Sequence, residues 1–418
     1  MAEIHAGVTP LAPQQRILSL DVLRGVAVLG ILIMNVQSFS MPETAYINPA
    51  SFGDLTGLNF WVYSMSHLLA DLKFMAIFSL MFGAGVMLLN GRVEARGGRP
   101  AKIHYRRMLW LLVFGLAHAY LLWYGDILVA YALCGMFVFL LRRMPPVWLV
   151  ILGLGFIAVT SILYMLFGLS MSFWPPEAIQ QTLQSWAPPA EQILHDIEVY
   201  QGNWWQQMAL RIPQSIKMQT FVFFIYVFWR VTGLMLIGMA LFHWRVLTAE
   251  RSTRFYAWMI LAGYGFGLPV ILYGLQQHFA RDWSVHYSMF MGVQFNYWGS
   301  LLVAAGHIGT VMLFCRVSGG AWFKKPLAAV GRMAFSNYIL QSVICTFIFY
   351  GHGLGLYGDL SRFGQILVVP AVWLVLMVFS VLWLRRFPYG PLEWLWRRLT
   401  YGRLEPVAGI SPSPAGNG

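Results

Sequence analysis

Apolar residues recur in long runs along the whole chain, separated by short polar connections. A run of about 20 apolar residues is long enough to cross a bilayer as a helix. The alternating pattern of an outer-membrane barrel strand is not seen. The pattern predicts an all-α, polytopic membrane protein with ten spans, at about residues 18–38, 72–90, 107–124, 126–141, 147–169, 219–242, 255–275, 296–315, 331–350 and 363–384.

The spans and the segments between them divide the chain into five predicted regions. The outer segment from Ser40 to Asp71 contains LNFWVYSMSHLLADL, whose apolar stripe predicts an interfacial helix. The tryptophan-rich loop 170–218 is either a roof over a site at the outer face or an aromatic belt with an ordinary loop. The regions are an N-terminal cytoplasmic segment 1–15, a first bundle of five spans 16–169, the periplasmic loop 170–218, a second bundle of five spans 219–404 and a disordered tail 405–418.

Composition supports a membrane protein, since 58% of the residues are hydrophobic and only 11% are charged. A soluble domain carries about 25% charged residues. The net charge of +12 therefore indicates basic cytoplasmic loops and not a nucleic-acid partner. No metal site is predicted, because the cysteines lie in apolar segments and resemble small buried hydrophobes. They are Cys134, Cys315 and Cys345.

The distribution of basic residues predicts the orientation. With both termini in the cytoplasm, every even-numbered connection is basic and every odd-numbered one is poor in Lys and Arg. All but six of the 28 Lys and Arg residues then lie on the cytoplasmic side. The six exceptions are Lys73, Arg211, Lys217, Arg230, Arg281 and Arg362.

Polar side chains in the first span share one face. At 100° per residue, Asp21, Arg24 and Asn35 fall within an arc of about 60°. One interpretation is a local Asp21–Arg24 pair that anchors the helix. The other is a cationic entrance for an anionic ligand arriving from the cytoplasm, because a guanidinium held by a carboxylate suits phosphate recognition.

The third span carries a second set. Arg107 and His118 are eleven residues apart, nearly three full turns, and therefore share a face. Asp126 follows a chain reversal at Gly125. His118 is either a structural histidine that bonds between helices or a base oriented by Asp126.

Three more polar residues lie within or at the ends of predicted spans. Asn337 and Gln341 are one turn apart, a spacing that favours hydrogen bonds between helices. Lys73 opens the second span at its outer end, where a lysine can snorkel to the interface or belong to a polar site. We take these two amides, Lys73 and Asn35 as candidate substrate-binding or structural polar residues.

Five stretches in order carry a resemblance to a known family. They are LDVLRGVAVLGILIMN, KFMAIFSLMFGAG, GLAHAYLLWYGDILVAYALCG, GRMAFSNYILQS and GPLEWLWRRLTYGR. Together they resemble the YeiB-like family of bacterial inner-membrane proteins, a domain of unknown function, from about Arg16 to Arg403. The resemblance implies a multi-pass protein of the bacterial inner membrane, with membrane lipids as partners and a homodimer as a candidate assembly.

The YeiB-like family is similar, more distantly, to transmembrane acyltransferases such as the heparan glucosaminide N-acetyltransferase. Those enzymes move an acyl group from cytoplasmic acyl-CoA to an acceptor across the membrane and depend on an embedded histidine. The shared LDVLRG entry maps onto Asp21, Arg24 and Gly25. The histidine of the YeiB-like motif is His118, while the acetyltransferase places its histidine near the second span, where His67 lies.

The resemblance implies an acyltransferase that uses acyl-CoA, with acetyl-CoA as the expected donor and no metal. Asp21, Arg24 and Arg107 would form the CoA-binding set, with Arg24, held by Asp21, and Arg107 on the phosphates, and His118 with Asp126 would be catalytic. The acceptor would be a small molecule or a glycan at the outer face. A small-molecule transporter or exporter is the alternative, and a non-catalytic membrane sensor is a third.

Overall fold

The computed structural model describes residues 17–402, in which all regular secondary structure is helical. The predicted segment 1–15 and the tail 405–418 lie outside the described residues. The α-helices are α1 (Leu18–Ser40), α2 (Glu43–Ile47), α3 (Gly57–Leu69), α4 (Lys73–Ala95), α5 (Pro100–Leu121), α6 (Leu128–Val138), α7 (Pro146–Ser170), α8 (Pro176–Trp186), α9 (Ala190–Gln201), α10 (Trp204–Lys217), α11 (Phe228–His243), α12 (Thr253–Ala280), α13 (Val285–Tyr287), α14 (Val293–Arg316), α15 (Ala321–Arg332), α16 (Ala334–Phe349), α17 (Arg362–Arg386) and α18 (Pro391–Tyr401).

Each stretch predicted as a span coincides with a helix. Within residues 17–402, seven helical segments are long and apolar enough to cross a membrane. Two further predicted spans coincide with shorter apolar helices, Leu128–Leu141 and Ala334–Phe349, and the remaining one with α5. The seven are Leu18–Ser40, Gly57–Ala95, Pro146–Phe173, Trp204–His243, Thr253–Ala280, Val285–Arg316 and Arg362–Arg386.

Burial separates central helices from peripheral ones. In α1, 67% of the most apolar window is buried, against 22% in α12 and in α17. Large apolar side chains such as Trp258, Phe266 and Leu374 are exposed on those outer helices. Water would not tolerate so much contiguous apolar surface, whereas lipid would. The helical bundle is therefore built around α1, with an apolar outer surface.

The segment 170–218 is not an ordinary loop but three packed helices, α8 to α10. The first begins after Pro175 and the second after Pro189, because proline suits the start of a helix. Trp186 is buried and its indole N–H donates to the Trp283 carbonyl at 2.7 Å. These helices cover one end of the bundle.

The predicted interfacial helix is α3, and most of its apolar stripe is exposed. Leu58 and Trp61 are both 59% exposed, and Met65 and Leu69 are also exposed. Leu68, the remaining stripe residue, is buried. An exposed apolar stripe on a short helix suits a position at a lipid–water interface.

Two glycines let α1 and α15 cross with their backbones in contact. A Cβ at Gly331 would lie 1.8 Å from the Asp21 carbonyl oxygen, and one at Gly25 would lie 2.0 Å from the Leu327 carbonyl oxygen. No side chain larger than hydrogen fits at either point. This explains the glycine that follows Arg24 in the LDVLRG stretch.

Gly331→Ala is expected to lower the free energy of unfolding by about 1–3 kcal/mol, because the added methyl group forces the two helices apart. Gly155→Ala is the control, since a Cβ there meets nothing within 4 Å. Thermal unfolding of the purified protein, followed by intrinsic fluorescence, measures both. Equal melting temperatures for Gly331→Ala and wild type would contradict this packing argument.

Candidate functional site

Asp21 and Arg24 form the predicted pair at one end of the bundle. The Arg24 guanidinium lies 3.2 Å from the Asp21 carboxylate and also donates to the Gly331 carbonyl at 3.3 Å. The two side chains are 29% and 16% exposed, so the pair lies at the surface of an opening and not on the lipid-facing side. The close crossing of α1 and α15 holds the guanidinium in place.

Arg107 is brought to the same opening by α5. Its guanidinium packs over the Trp396 ring at 4.1 Å, and the Trp396 indole donates to the Arg107 carbonyl at 2.9 Å. Among the described residues, five arginines line this entrance, against the two carboxylates of Asp21 and Glu393. We call it the basic mouth, and its arginines are Arg24, Arg92, Arg107, Arg332 and Arg397.

A cavity of about 220 Å³ runs inward from the basic mouth. Its walls are mainly apolar and aromatic side chains, including Val28, Ile31, Phe78, Met81, Phe82, Val86, Met108, Leu111, Tyr131 and Phe335. An opening rich in arginine and a body rich in apolar groups suit a ligand with an anionic head and a thin uncharged arm.

His118 and Asp126 are in direct contact one layer beyond the cavity. His118 Nδ1 lies 2.7 Å from Asp126 Oδ2, and both side chains are 1% exposed. The second Asp126 oxygen accepts the Val129 N–H at 2.8 Å, in the first turn of α6. The chain reversal at Gly125 thus brings together the two residues that the sequence predicts as a pair.

The other imidazole nitrogen contacts a residue that the sequence reasoning missed. His118 Nε2 lies 2.8 Å from Ser342 Oγ, and Ser342 is buried. Asp126, His118 and Ser342 therefore form a continuous hydrogen-bonded row. Nothing in the sequence of α16 distinguishes Ser342 from the other serine of the helix, Ser336. Only the packing of α16 against α5 makes this contact.

Tyr338 separates the cavity from this row. Its ring lines the cavity and its centroid lies 5.1 Å from that of His118. Its hydroxyl accepts from the Ile127 N–H at 3.3 Å and donates to the Gly125 carbonyl at 3.5 Å. The cavity thus ends one side chain short of the imidazole.

The amides of α16 join helices and do not line the cavity. The Asn337 amide donates to the Val330 carbonyl at 3.1 Å and to Ser380 at 2.8 Å. The Gln341 amide donates to the Val28 carbonyl at 3.0 Å. Asn35 is half-buried on α1 and is also absent from the lining.

The snorkelling alternative for Lys73 is wrong, because the side chain is fully buried. Its ammonium donates to the His67 carbonyl and to Asn296 Oδ1, both at 2.6 Å. The Asn296 amide in turn donates to Asp71 at 2.7 Å, and His67 Nδ1 lies 3.2 Å from the same carboxylate. These acceptors hold the ammonium inside the bundle. His67 therefore belongs to a second polar network that shares no partner with His118.

Glu393 connects α18 to α16 at the basic mouth. It accepts from the Phe335 and Ser336 N–H groups at 2.8 and 3.1 Å, which have no partner within their own helix. Its removal from water raises the pKa of Glu393 above the usual value. The same side chain thus supports a helix end and lines the mouth.

A carboxyl group whose pKa is higher in the folded than in the unfolded protein stabilises the fold at pH values below its pKa in the unfolded chain. This contribution to the free energy of unfolding is lost as the pH rises through the pKa of the folded protein. The wild type is expected to lose stability relative to Glu393→Gln as pH rises from about 4 toward neutrality. Melting temperatures of both proteins over this range give the difference. Parallel curves of melting temperature against pH for the two proteins would contradict a raised pKa of Glu393.

Comparison with known proteins identifies the family to which the chain belongs. The chain is 32% identical to the uncharacterized protein YeiB of Escherichia coli (strain K12), over 92% of this chain and 96% of that protein. It belongs to the YeiB-like family. It is also 32% identical to the uncharacterized protein YxaH of Bacillus subtilis (strain 168), over 96% and 98% of the two chains. The predicted resemblance to the YeiB-like family is therefore confirmed.

A family model described as a protein of unknown function (DUF418) matches residues 241–403. That region supplies one side of the site, namely Tyr338, Ser342, Glu393 and Trp396. The other side is formed by α1, α5 and the start of α6, which precede the matched region. The site of this YeiB-like protein is thus assembled from both halves of the chain.

Proposed function

We propose that the protein is a transmembrane acyltransferase. It would take an acyl group from cytoplasmic acyl-CoA, with acetyl-CoA as the expected donor, and transfer it to a small-molecule or glycan acceptor at the periplasmic face. The observation that carries this proposal is the cavity, which begins at five arginines and ends at Tyr338, in contact with the buried His118–Asp126 pair.

The basic mouth suits the phosphates of CoA. Guanidinium groups bind phosphate oxygens through paired, charge-assisted hydrogen bonds. Arg24 is held by Asp21 and by the Gly331 carbonyl, while Arg107 is held against Trp396. Two guanidinium groups fixed on different helices can bind one polyphosphate without losing much side-chain freedom.

The apolar cavity suits the pantetheine arm and its acyl group. Eleven helical residues separate Arg107 from His118, a rise of about 16 Å. A phosphate bound at the basic mouth would then leave the thioester close to the closed end of the cavity. Displacement of the Tyr338 ring, whose hydroxyl makes only two long hydrogen bonds, would join that end to His118.

His118 has the contacts of a general base. A carboxylate on one nitrogen holds the ring in a single orientation and stabilises the cation that forms when the other nitrogen accepts a proton. An acceptor hydroxyl or amine loses a proton when it attacks an acyl group, so a base at this point is required. Burial among apolar side chains would limit competing hydrolysis.

We further propose that all ten predicted helices cross the bacterial inner membrane, with both termini and the basic mouth in the cytoplasm. The alternation of basic and neutral connections supports this orientation. It places the basic mouth where acyl-CoA is found.

Single cysteines in a background without the native cysteines are expected to report opposite sides. Ala95→Cys lies at the exposed C-terminal end of α4, and Gln184→Cys lies on the exposed face of α8. A membrane-impermeant maleimide should label Gln184→Cys in intact cells and Ala95→Cys only after disruption. Labelling of both positions from the same side would contradict the orientation.

The proposed function is tested with the purified full-length protein in lipid nanodiscs. Acetyl-CoA should raise the melting temperature, and repeated turnover, with release of many molecules of free CoA thiol per protein, should require a membrane-derived glycan or hydroxyl acceptor. Desulfo-CoA serves as a non-reactive ligand that should stabilise without turnover. Saturable flux of a small molecule into proteoliposomes, with no CoA-dependent reaction, would instead establish a transporter.

A further inference from the structure

Ser342 lies at the end of a row of three buried side chains from three different parts of the chain. His118 comes from α5, Asp126 from the turn before α6, and Ser342 from α16. The two contacts in the row measure 2.7 and 2.8 Å. This is the order of contacts found where a base activates a nucleophile and a carboxylate orients the base.

With an ionised Asp126 and a neutral His118, the contacts assign a donor and an acceptor to each hydrogen bond of the row. Asp126 has a second hydrogen bond from the Val129 N–H at the start of α6, where a negative charge is favoured. An ionised carboxylate only accepts, so His118 Nδ1 carries the proton between them. In a neutral imidazole Nε2 then carries the lone pair and accepts a hydrogen bond from the Ser342 hydroxyl.

The Ser342 hydroxyl is directed to His118 more closely than to its own helix. Ser40 and Ser79 donate to carbonyls four residues earlier at 2.6 and 2.9 Å, the usual arrangement for a helical serine. The corresponding distance from Ser342 to the Tyr338 carbonyl is 3.5 Å. The shorter of the two contacts of the Ser342 hydroxyl is therefore the one to the His118 imidazole.

The Trp123 side chain lies beside the row. The Trp123 ring centroid is 6.3 Å from that of His118, and within residues 17–402 its buried indole N–H has no hydrogen-bond partner. A buried donor of this kind normally finds an acceptor. An oxyanion that develops during attack on a carbonyl would supply one.

We propose that Ser342 carries the acyl group as an ester between the donor and the acceptor. This inference rests on the proposed acyltransferase function and adds a covalent step to it. The carrier allows CoA to leave toward the basic mouth before the acceptor reaches the same carbonyl from the opposite side.

In the first half-reaction, Ser342 Oγ attacks the thioester carbonyl and its proton passes to His118 Nε2. The carbon–sulfur bond breaks, and the CoA sulfur leaves with the proton from His118. In the second, the acceptor oxygen or nitrogen attacks the ester while its proton passes to His118 Nε2. The bond to Ser342 Oγ breaks and the serine regains a proton from His118, so atoms and charge balance over the cycle.

The test uses the full-length protein and acetyl-CoA labelled at the acetyl carbonyl, without acceptor. The denatured wild type should retain label, mapped by mass spectrometry to the α16 peptide at Ser342. Ser342→Ala should lose the label and slow transfer by at least about 10³-fold. Ser342→Cys should form an adduct that neutral hydroxylamine cleaves, as expected for a thioester. Thr346→Ala, one turn further along α16 and also buried, is the control that should label like wild type.

Size-exclusion profiles and acetyl-CoA-induced stabilisation establish that each variant is folded. A wild type that transfers acetyl groups with no adduct, together with an equally active Ser342→Ala, would overturn the carrier while the acyltransferase function stands. A wild type that releases no CoA even when the acceptor is present would overturn both. Loss of the label in Thr346→Ala as well as in Ser342→Ala would also count against a specific role for Ser342.

Discussion

His118→Ala is expected to reduce acyl transfer from acetyl-CoA by about 10²–10⁴-fold, the contribution usual for a positioned general base. The substitution removes the group that connects Asp126 to Ser342. Binding of acetyl-CoA should change little, because the arginines of the basic mouth are untouched. The measurement is the rate of transfer with labelled donor, alongside the dissociation constant of the same protein.

Two companion variants make this result specific. Asp126→Asn keeps the shape of the side chain but favours the wrong tautomer of His118, so transfer should fall by roughly 10³–10⁴-fold. His67→Ala removes the histidine of the other Asp-paired network and should leave transfer close to wild type. Full activity of the His118→Ala variant would show that His118 is not the general base. If acyl transfer were lost only in the His67→Ala variant, the catalytic site would be assigned to the network around Lys73.

Arg24→Ala is expected to weaken acetyl-CoA binding by about 10- to 100-fold, since a charge-assisted hydrogen bond contributes roughly 1.5–3 kcal/mol. The rate at saturating donor should be nearly unchanged, because Arg24 lies at the basic mouth and His118 lies beyond the closed end of the cavity. Binding is measured by isothermal titration, with the variant checked by its melting temperature.

Lys102→Ala is the matched control for charge, because Lys102 is exposed near the start of α5 and does not line the cavity. Binding by the wild type should also weaken as salt is raised, and less steeply in Arg24→Ala. An unchanged dissociation constant in a folded Arg24→Ala protein would mean that Arg24 only anchors α1.

Features set by local sequence could be predicted, and features set by distant packing could not. The length of an apolar run fixes whether a helix can cross a membrane, so every predicted span coincides with a helix. His118 and Asp126 are close in sequence across a tight turn, which made their pairing foreseeable. Ser342 is 224 residues from His118, and no periodicity within α16 marks it.

Lys73 shows a second limit of prediction from local sequence. Its position at a helix start favoured snorkelling, because a local pattern contains no information about acceptors supplied from elsewhere. Asn296, on α14, provides one of them and makes burial tolerable. The three helices of segment 170–218 were missed for a related reason, since proline pairs and tryptophans mark turns and interfaces but do not exclude short helices between them.

The position of α18 has a consequence for the order in which the protein is made. Trp396 supports Arg107, and Glu393 holds the first turn of α16, so the basic mouth depends on a helix that follows all the other helices lining it. During synthesis α1 and α5 enter the membrane long before α18 leaves the ribosome. The contacts that fix Arg107 and the first turn of α16 at this entrance are therefore complete only after the final described helix has docked.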